Sequence, residues 1–210
     1  MNEVCRNLII GSILGDGHVV KIKTKKGTSQ MEFKYCAKYL GYLQWIHKTL
    51  SSHGLKVGAI KPHKNNQFYF RTPHTKEYGK FRKLFYPYGI KVVPSNIKKL
   101  LTDPLSLAVW YMDDGTLDYR RKYHFNPMLA TYNFTFQECK LLIDVLKCNF
   151  DIHASVTKCT MRGKVYPRVY IWSESAHDFV DLIRPYYLPC MNHKFMEEYP
   201  IGLASSSGQT

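Results

Sequence analysis

Two stretches of this chain end in the same way. Leu107-Ala108-Val109-Trp110-Tyr111-Met112-Asp113-Asp114-Gly115 is an apolar run closed by acid and glycine, and Ile9-Ile10-Gly11-Ser12-Ile13-Leu14-Gly15-Asp16-Gly17 is a looser copy. Asp16 and Asp114 lie 98 positions apart (114 − 16). A second pair of segments repeats the offset: Phe81 to Tyr88 and Phe179 to Tyr186 share the pattern F-x-x-L-apolar-x-P-Y, and 179 − 81 is again 98. Two unrelated segments at one spacing mark an internal duplication, which governs what the chain can fold into. The expected class is α+β, with one unit repeated about a pseudo-twofold axis, as in a homodimer. The halves are residues 1–98 and 99–203, followed by a Ser/Gly/Gln tail, 204–210, expected to be disordered.

Local patterns fill in the unit. Residues 2–14 carry helical spacing (Val4, Leu8, Ile9, Ile13), and Gly17 suits a left-handed stop. Ile22 between lysines, and the alternation Met31, Phe33, Tyr35, predict a hairpin with a basic face. Residues 38–52 return to helical spacing. Lys56 to Ile60 and Gln67 to Arg71 are expected to pair around a polar loop, 62–66, before a short helix from Lys76 to Phe85. In the second half, Thr102-Asp103-Pro104 opens a helix, residues 127–134 supply a strand, and Thr135 with Glu138 forms a capping box. Ala154 to Thr160 and Arg168 to Trp172 make a strand pair turning at Arg162-Gly163-Lys164, and Ser175 to Arg184 is a last helix.

Gly11 and Gly15 share one helix face. Each glycine weakens a helix interior by roughly 1 kcal/mol relative to alanine, so two on one face imply a close neighbour. The equivalent positions in the other copy are Val109 and Asp113, with Trp110 matching Ser12. Small residues against large ones allow the two helices to pair. Their acidic C-terminal ends then converge, adding carboxylates to the negative poles of two dipoles. A hard divalent cation with oxygen ligands relieves that repulsion, and Mg²⁺ is the natural choice. Such a cation also takes water and phosphate oxygens.

The chain carries 30 Lys and Arg against 16 Asp and Glu, a net charge of +14. That balance suits a polyanionic partner, nucleic acid foremost, better than a plain solvated surface. No stretch is apolar for about 18 residues, and the N-terminus lacks the pattern of a secretion signal. The six cysteines form no CxxC pair, which fits a reducing compartment; Cys148, His153 and Cys159 lack a zinc-site spacing.

Leu107 to Gly115 resembles the signature of the LAGLIDADG homing endonucleases, most of all the single-chain, group I intron-encoded class that includes members from mitochondrial large-rRNA introns. In the Ile9 to Gly17 copy, Leu14 stands where the family usually has its first aspartate. The resemblance continues through Phe134-Thr135-Phe136 with Glu138 and through Arg184-Pro185-Tyr186-Tyr187-Leu188-Pro189. It implies two αββαββα units whose antiparallel sheets form saddles on the DNA major groove. It implies Asp16 and Asp114 as catalytic metal ligands, helped by the carbonyls of Gly15 and Asp113. It also implies a basic residue per half near the scissile phosphates, matched here by Lys91 and Lys194. The cofactor would be Mg²⁺, with Mn²⁺ able to substitute.

The expected DNA-contacting residues are basic ones on or beside the strand pairs. In the first half these are Lys21, Lys23, Lys25, Lys26, Lys61, Lys64 and Arg71. In the second they are Arg120, Arg121, Lys122, Lys158, Arg162, Lys164 and Arg168. The reading is a monomeric endonuclease that cuts a long asymmetric site, leaves 3′ overhangs and promotes intron mobility in an organelle or a bacterial cytoplasm. Rival readings on the same scaffold are an RNA-binding intron maturase and a DNA-binding regulator with a dead site.

Overall fold

A computed structural model describes residues 1–21, 27–120 and 124–195. Lys23, Lys25, Lys26, Arg121, Lys122 and the 204–210 tail fall outside these residues. The first half runs α1 (Glu3–Leu14), β1 (His18–Val19), β2 (Met31–Cys36), α2 (Leu40–Ser52), β3 (Lys61–His63), β4 (Gln67–Arg71) and α3 (Lys76–Phe85). The second runs α4 (Pro104–Asp114), β5 (Gly115–Arg120), β6 (His124–Ala130), α5 (Phe136–Phe150), β7 (Ala154–Met161), β8 (Lys164–Ile171) and α6 (Ser173–Ile183). Both halves therefore read αββαββα. Each holds a four-stranded antiparallel sheet, ordered β1-β2-β4-β3 and β5-β6-β8-β7.

Helix starts follow from caps the sequence carries. Asn2 accepts the Cys5 N–H at 2.9 Å, Thr75 caps α3, and Asp103 accepts the Leu105 N–H at 2.8 Å ahead of Pro104. Thr135 and Glu138 close the capping box of α5 reciprocally. These contacts satisfy amides that a helix N-terminus leaves unpaired. α1 and α4 lie side by side in the centre and are buried nearly all round, from Leu8 to Leu14 and from Leu105 to Met112. Sheets and outer helices wrap this pair in one continuous core.

Some expectations need correction. Residues 56–60 form no strand; the outer strand is Lys61–His63, and the turn is 64–66 with Asn65 and Asn66 at φ 59° and 54°. Asparagine tolerates that left-handed geometry, so the turn sits where the asparagines are. Gly17 is not a left-handed stop, since its φ is not positive. A side chain there would instead strike Met31 at 2.5 Å and the Ser12 carbonyl at 2.7 Å. In the second half the strand begins at His124 rather than 127, and Lys164 opens β8 instead of completing the turn. Arg162 and Gly163 alone turn the chain, both left-handed, at φ 49° and 74°, which is the two-residue hairpin geometry. β5 begins at Gly115, directly after the last residue of α4.

Candidate active site

The small face of α1 is filled by α4. A Cβ on Gly11 would stand 2.3 Å from the Ser106 carbonyl and 2.9 Å from the Val109 Cβ. Ser106 Oγ donates to the Asn7 carbonyl at 2.8 Å, so a polar contact ties the backbones where they come closest. A Cβ on Gly15 would stand 2.4 Å from the Cβ of Asp113. The expected pairing of Gly11 with Val109 and of Gly15 with Asp113 is what the helices do. Their C-terminal ends consequently meet.

At that meeting point the two halves present matching groups. The Lys91 ammonium donates to the Gly15 carbonyl at 2.6 Å, and that of Lys194 donates to the Asp113 carbonyl, also at 2.6 Å. Gly15 and Asp113 are themselves 98 positions apart. Each lysine thus reaches the residue just before its own half's aspartate, although the lysines lie 103 positions apart (194 − 91). Unequal connections after α3 and α6 bring them to equivalent places. Asp113 goes further: its Oδ2 accepts the Asp16 N–H at 3.0 Å across the seam, and its Oδ1 accepts the Tyr35 hydroxyl at 2.9 Å. Sequence reasoning missed Tyr35 because the alternation Met31, Phe33, Tyr35 marks it only as core.

The electrostatics fit a crowded charged cluster in which Asp16 is exposed and Lys91, Asp113, Asp114 and Lys194 are half-buried. Burial pushes the Asp114 carboxyl up to about 7, and the neighbouring Asp16 charge adds to the rise against the pull of Lys91 and Lys194. Asp16 is also raised, chiefly by lost solvation, with the same two lysines opposing. Asp113 is raised well above the carboxylate range by burial, then by Asp16 and Asp114; its two hydrogen bonds oppose. Burial lowers both lysines, while the three aspartates hold them up.

No group of three or more His, Cys, Asp or Glu side chains gathers to hold a metal among the described residues. A cation here would rest on the Asp16 and Asp114 carboxylates and on nearby backbone oxygens. That donor set is all oxygen, which suits Mg²⁺ or Mn²⁺ rather than a soft metal. Few protein ligands leave positions for water and phosphate.

The expected DNA-contacting residues divide by sheet face. Residues directly opposite in an antiparallel pair share a face, and neighbours along a strand alternate. In the first sheet Phe33 and Phe70 stack inward, with ring centroids 4.8 Å apart. The outward row pairs Glu32 with Arg71 and Lys34 with Tyr69, and Tyr69 with Lys61. Arg71 is held by Glu32 through its Nε and an Nη, each at 2.5 Å. Lys61 faces out from β3 and Lys64 is exposed in the turn, while Lys21 is exposed just past β1. Lys34, His63 and Gln67 join this face unforeseen.

In the second sheet Arg168 and Lys164 share the outer face with Tyr166 and Tyr170. Arg168 donates to the Tyr132 hydroxyl at 2.7 Å and to Cys159 Sγ at 3.0 Å. Arg162 is exposed in the turn and Arg120 at the end of β5. Lys158 is the exception. It opposes Pro167 and alternates with Arg168's partner Thr157, so it stands on the helix side of the sheet with Val156.

Residues 6–179 match the model of the LAGLIDADG DNA endonuclease family. The chain is 29% identical to the cytochrome b mRNA maturase bI2 of Saccharomyces cerevisiae over 92% of its length, and spans about half (48%) of that protein. It is 28% identical to a probable intron-encoded endonuclease of Wickerhamomyces canadensis, covering 93% of this chain and 85% of the relative. The fold superimposes on the homing endonuclease I-WcaI, solved bound to its DNA recognition sequence. The TM-score is 0.74 at 23% identity, over 92% of this chain and 86% of that one.

Proposed function

Because this chain belongs to the LAGLIDADG DNA endonuclease family, we propose that it is a monomeric, Mg²⁺-dependent, site-specific endonuclease cutting both strands of duplex DNA. The observation that carries this is the matched pair of tips. Each half brings one aspartate to the seam and one lysine to the carbonyl beside it. Asp16 and Asp114 would hold the cation, with the Gly15 and Asp113 carbonyls as the nearest further donors. A bound cation activates water and stabilises the leaving oxygen of a phosphodiester. Lys91 and Lys194 place positive charge beside that centre and oppose the charge that builds on phosphate oxygens. Two centres at one seam suit two cuts across the minor groove, leaving 3′ overhangs of four bases.

The two sheets form the saddle that grips the major groove on either side. Lys21, Lys61, Lys64 and Arg71 serve one half-site; Arg120, Arg162, Lys164 and Arg168 serve the other. Unequal rows imply an asymmetric target of roughly two helical turns. Cleavage of such a site in an intronless allele is the step that mobilises an intron. The chain would act in the organelle or bacterial cytoplasm where its intron is transcribed, and no helix among the described residues is long and apolar enough to cross a membrane.

The test is a plasmid carrying the exon junction that flanks the gene, incubated with and without Mg²⁺. Linear product only with the metal is expected; none in either condition would overturn the nuclease reading. The likeness to an mRNA maturase favours a second activity on the same scaffold, assistance to intron splicing. Splicing that survives Asp16→Asn while cutting is lost would separate the two.

A further inference from the structure

The two acidic tips are held by different means. Asp114 is the last residue of α4, so the helix fixes its backbone. Asp16 lies past the end of α1, beyond the cap residue Gly15. The N–H groups on either side still bond back into the helix, Gly15 to Gly11 at 3.0 Å and Gly17 to Ser12 at 2.7 Å. That of Asp16 does not. It is captured by Asp113 of the opposing helix, whose second carboxylate oxygen is taken up by Tyr35. Both Asp113 oxygens are therefore committed to protein donors. The approach depends on Gly15, because a side chain there would overlap Asp113.

We infer that Asp113, buttressed by Tyr35, is the positioning residue for Asp16: a carboxylate of the second half sets the acidic tip of the first. The inference rests on the nuclease reading for its catalytic consequence. Misplacing a reacting group by about 1 Å costs on the order of a hundredfold in rate. Asp114 has its helix and needs no such brace. Loss of the bridge therefore slows the strand served by Asp16 and spares the other.

The test uses the full chain with Mg²⁺ and a target duplex labelled on each strand in turn, alongside a supercoiled plasmid bearing the same site. Asp113→Ala should cut one strand at the normal rate and the other about a hundredfold slower, so that nicked circles accumulate while DNA affinity holds. Asp113→Asn keeps an oxygen toward the Asp16 N–H and should restore most double-strand cutting. Tyr35→Phe should fall between them. Equal slowing of both strands, or no slowing of either, would overturn the inference, as would identical behaviour of the Ala and Asn variants.

Amide hydrogen exchange at Asp16 reads the bridge without any cutting. It should be slow in the wild type and in Asp113→Asn, and faster in Asp113→Ala and Tyr35→Phe. Unchanged exchange sinks the positioning role even if the wild type proves not to cut. A wild type that fails to cut with the exchange pattern intact sinks the nuclease reading alone.

Discussion

The first half and the second share a plan but are built differently. β1 and β3 have two and three residues, whereas their counterparts β5 and β7 have six and eight. The first half turns β3 into β4 through three residues; the second turns β7 into β8 through two. The contrast is sharpest at the seam. α1 and its cap residue lack side chains at positions 11 and 15, where α4 carries Val109 and Asp113. Two helices packed this closely cannot both keep bulk at the crossing. After duplication, one copy supplied the space and the other the atoms that fill it.

The largest effect should come from the feature the halves still share. Asp16→Asn and Asp114→Asn should each cut double-strand cleavage by roughly a thousandfold or more, since several kcal/mol of transition-state stabilisation goes with the cation. Filter binding should show that affinity survives. Full cutting in either variant would end the metal assignment. Next in size are Lys91→Met and Lys194→Met, each expected to slow cleavage about a hundredfold, as losing one preorganised donor does. Equivalent positions predict equal losses; a strong inequality would show that the lysines differ despite their shared geometry.

The packing contrast is tested by Gly11→Leu, which should destabilise the fold by about 3 kcal/mol in urea unfolding by overfilling the seam. Acidity at the tips gives a smaller effect with a definite sign. Asp16, Asp113 and Asp114 are raised in the fold, so they favour it most below the unfolded carboxylate range. That contribution fades as pH rises, through about 7 for Asp114. Without metal, Tm should fall by roughly 5 °C between pH 5 and 8, and excess Mg²⁺ should flatten the profile. A metal-free pH profile of Tm left unchanged by Asp114→Asn would contradict the raised carboxyl. The smallest effect separates sheet faces. Lys61→Ala should weaken DNA binding severalfold and lower its salt slope by about one. Lys158→Ala, on the other face, should leave both unchanged.

Much of this was legible in the sequence because it repeats. One offset found twice predicts two equivalent units, and the glycine face of residues 11–15 names its own partner helix. The caps at Asp103 and Thr135 fix helix starts by local chemistry. What sequence could not show is what depends on contacts between distant residues. Tyr35 reads as one more core aromatic until its hydroxyl is seen on Asp113, 78 positions away (113 − 35). Strand bounds were less legible than helix bounds. In short strands such as β3, pairing with a neighbour decides the extent, and Lys61-Pro62-His63 has little strand character of its own. Clustering of charge groups Lys158 with the outward-facing cations because it says nothing of which side of a pleat a residue occupies.

The fit of Asp113 against a bare Gly15 has a consequence for recombination. The halves look like exchangeable modules, yet they are keyed to each other at this crossing. A symmetric dimer of the second half alone would set aspartate against aspartate, and one of the first would leave a gap with nothing to brace its tips. A chimera that grafts this first half onto a cousin's second half therefore inherits whatever stands opposite Gly15. Donors with a short side-chain oxygen acceptor at that place should yield a working hybrid; donors without one should nick rather than cut both strands.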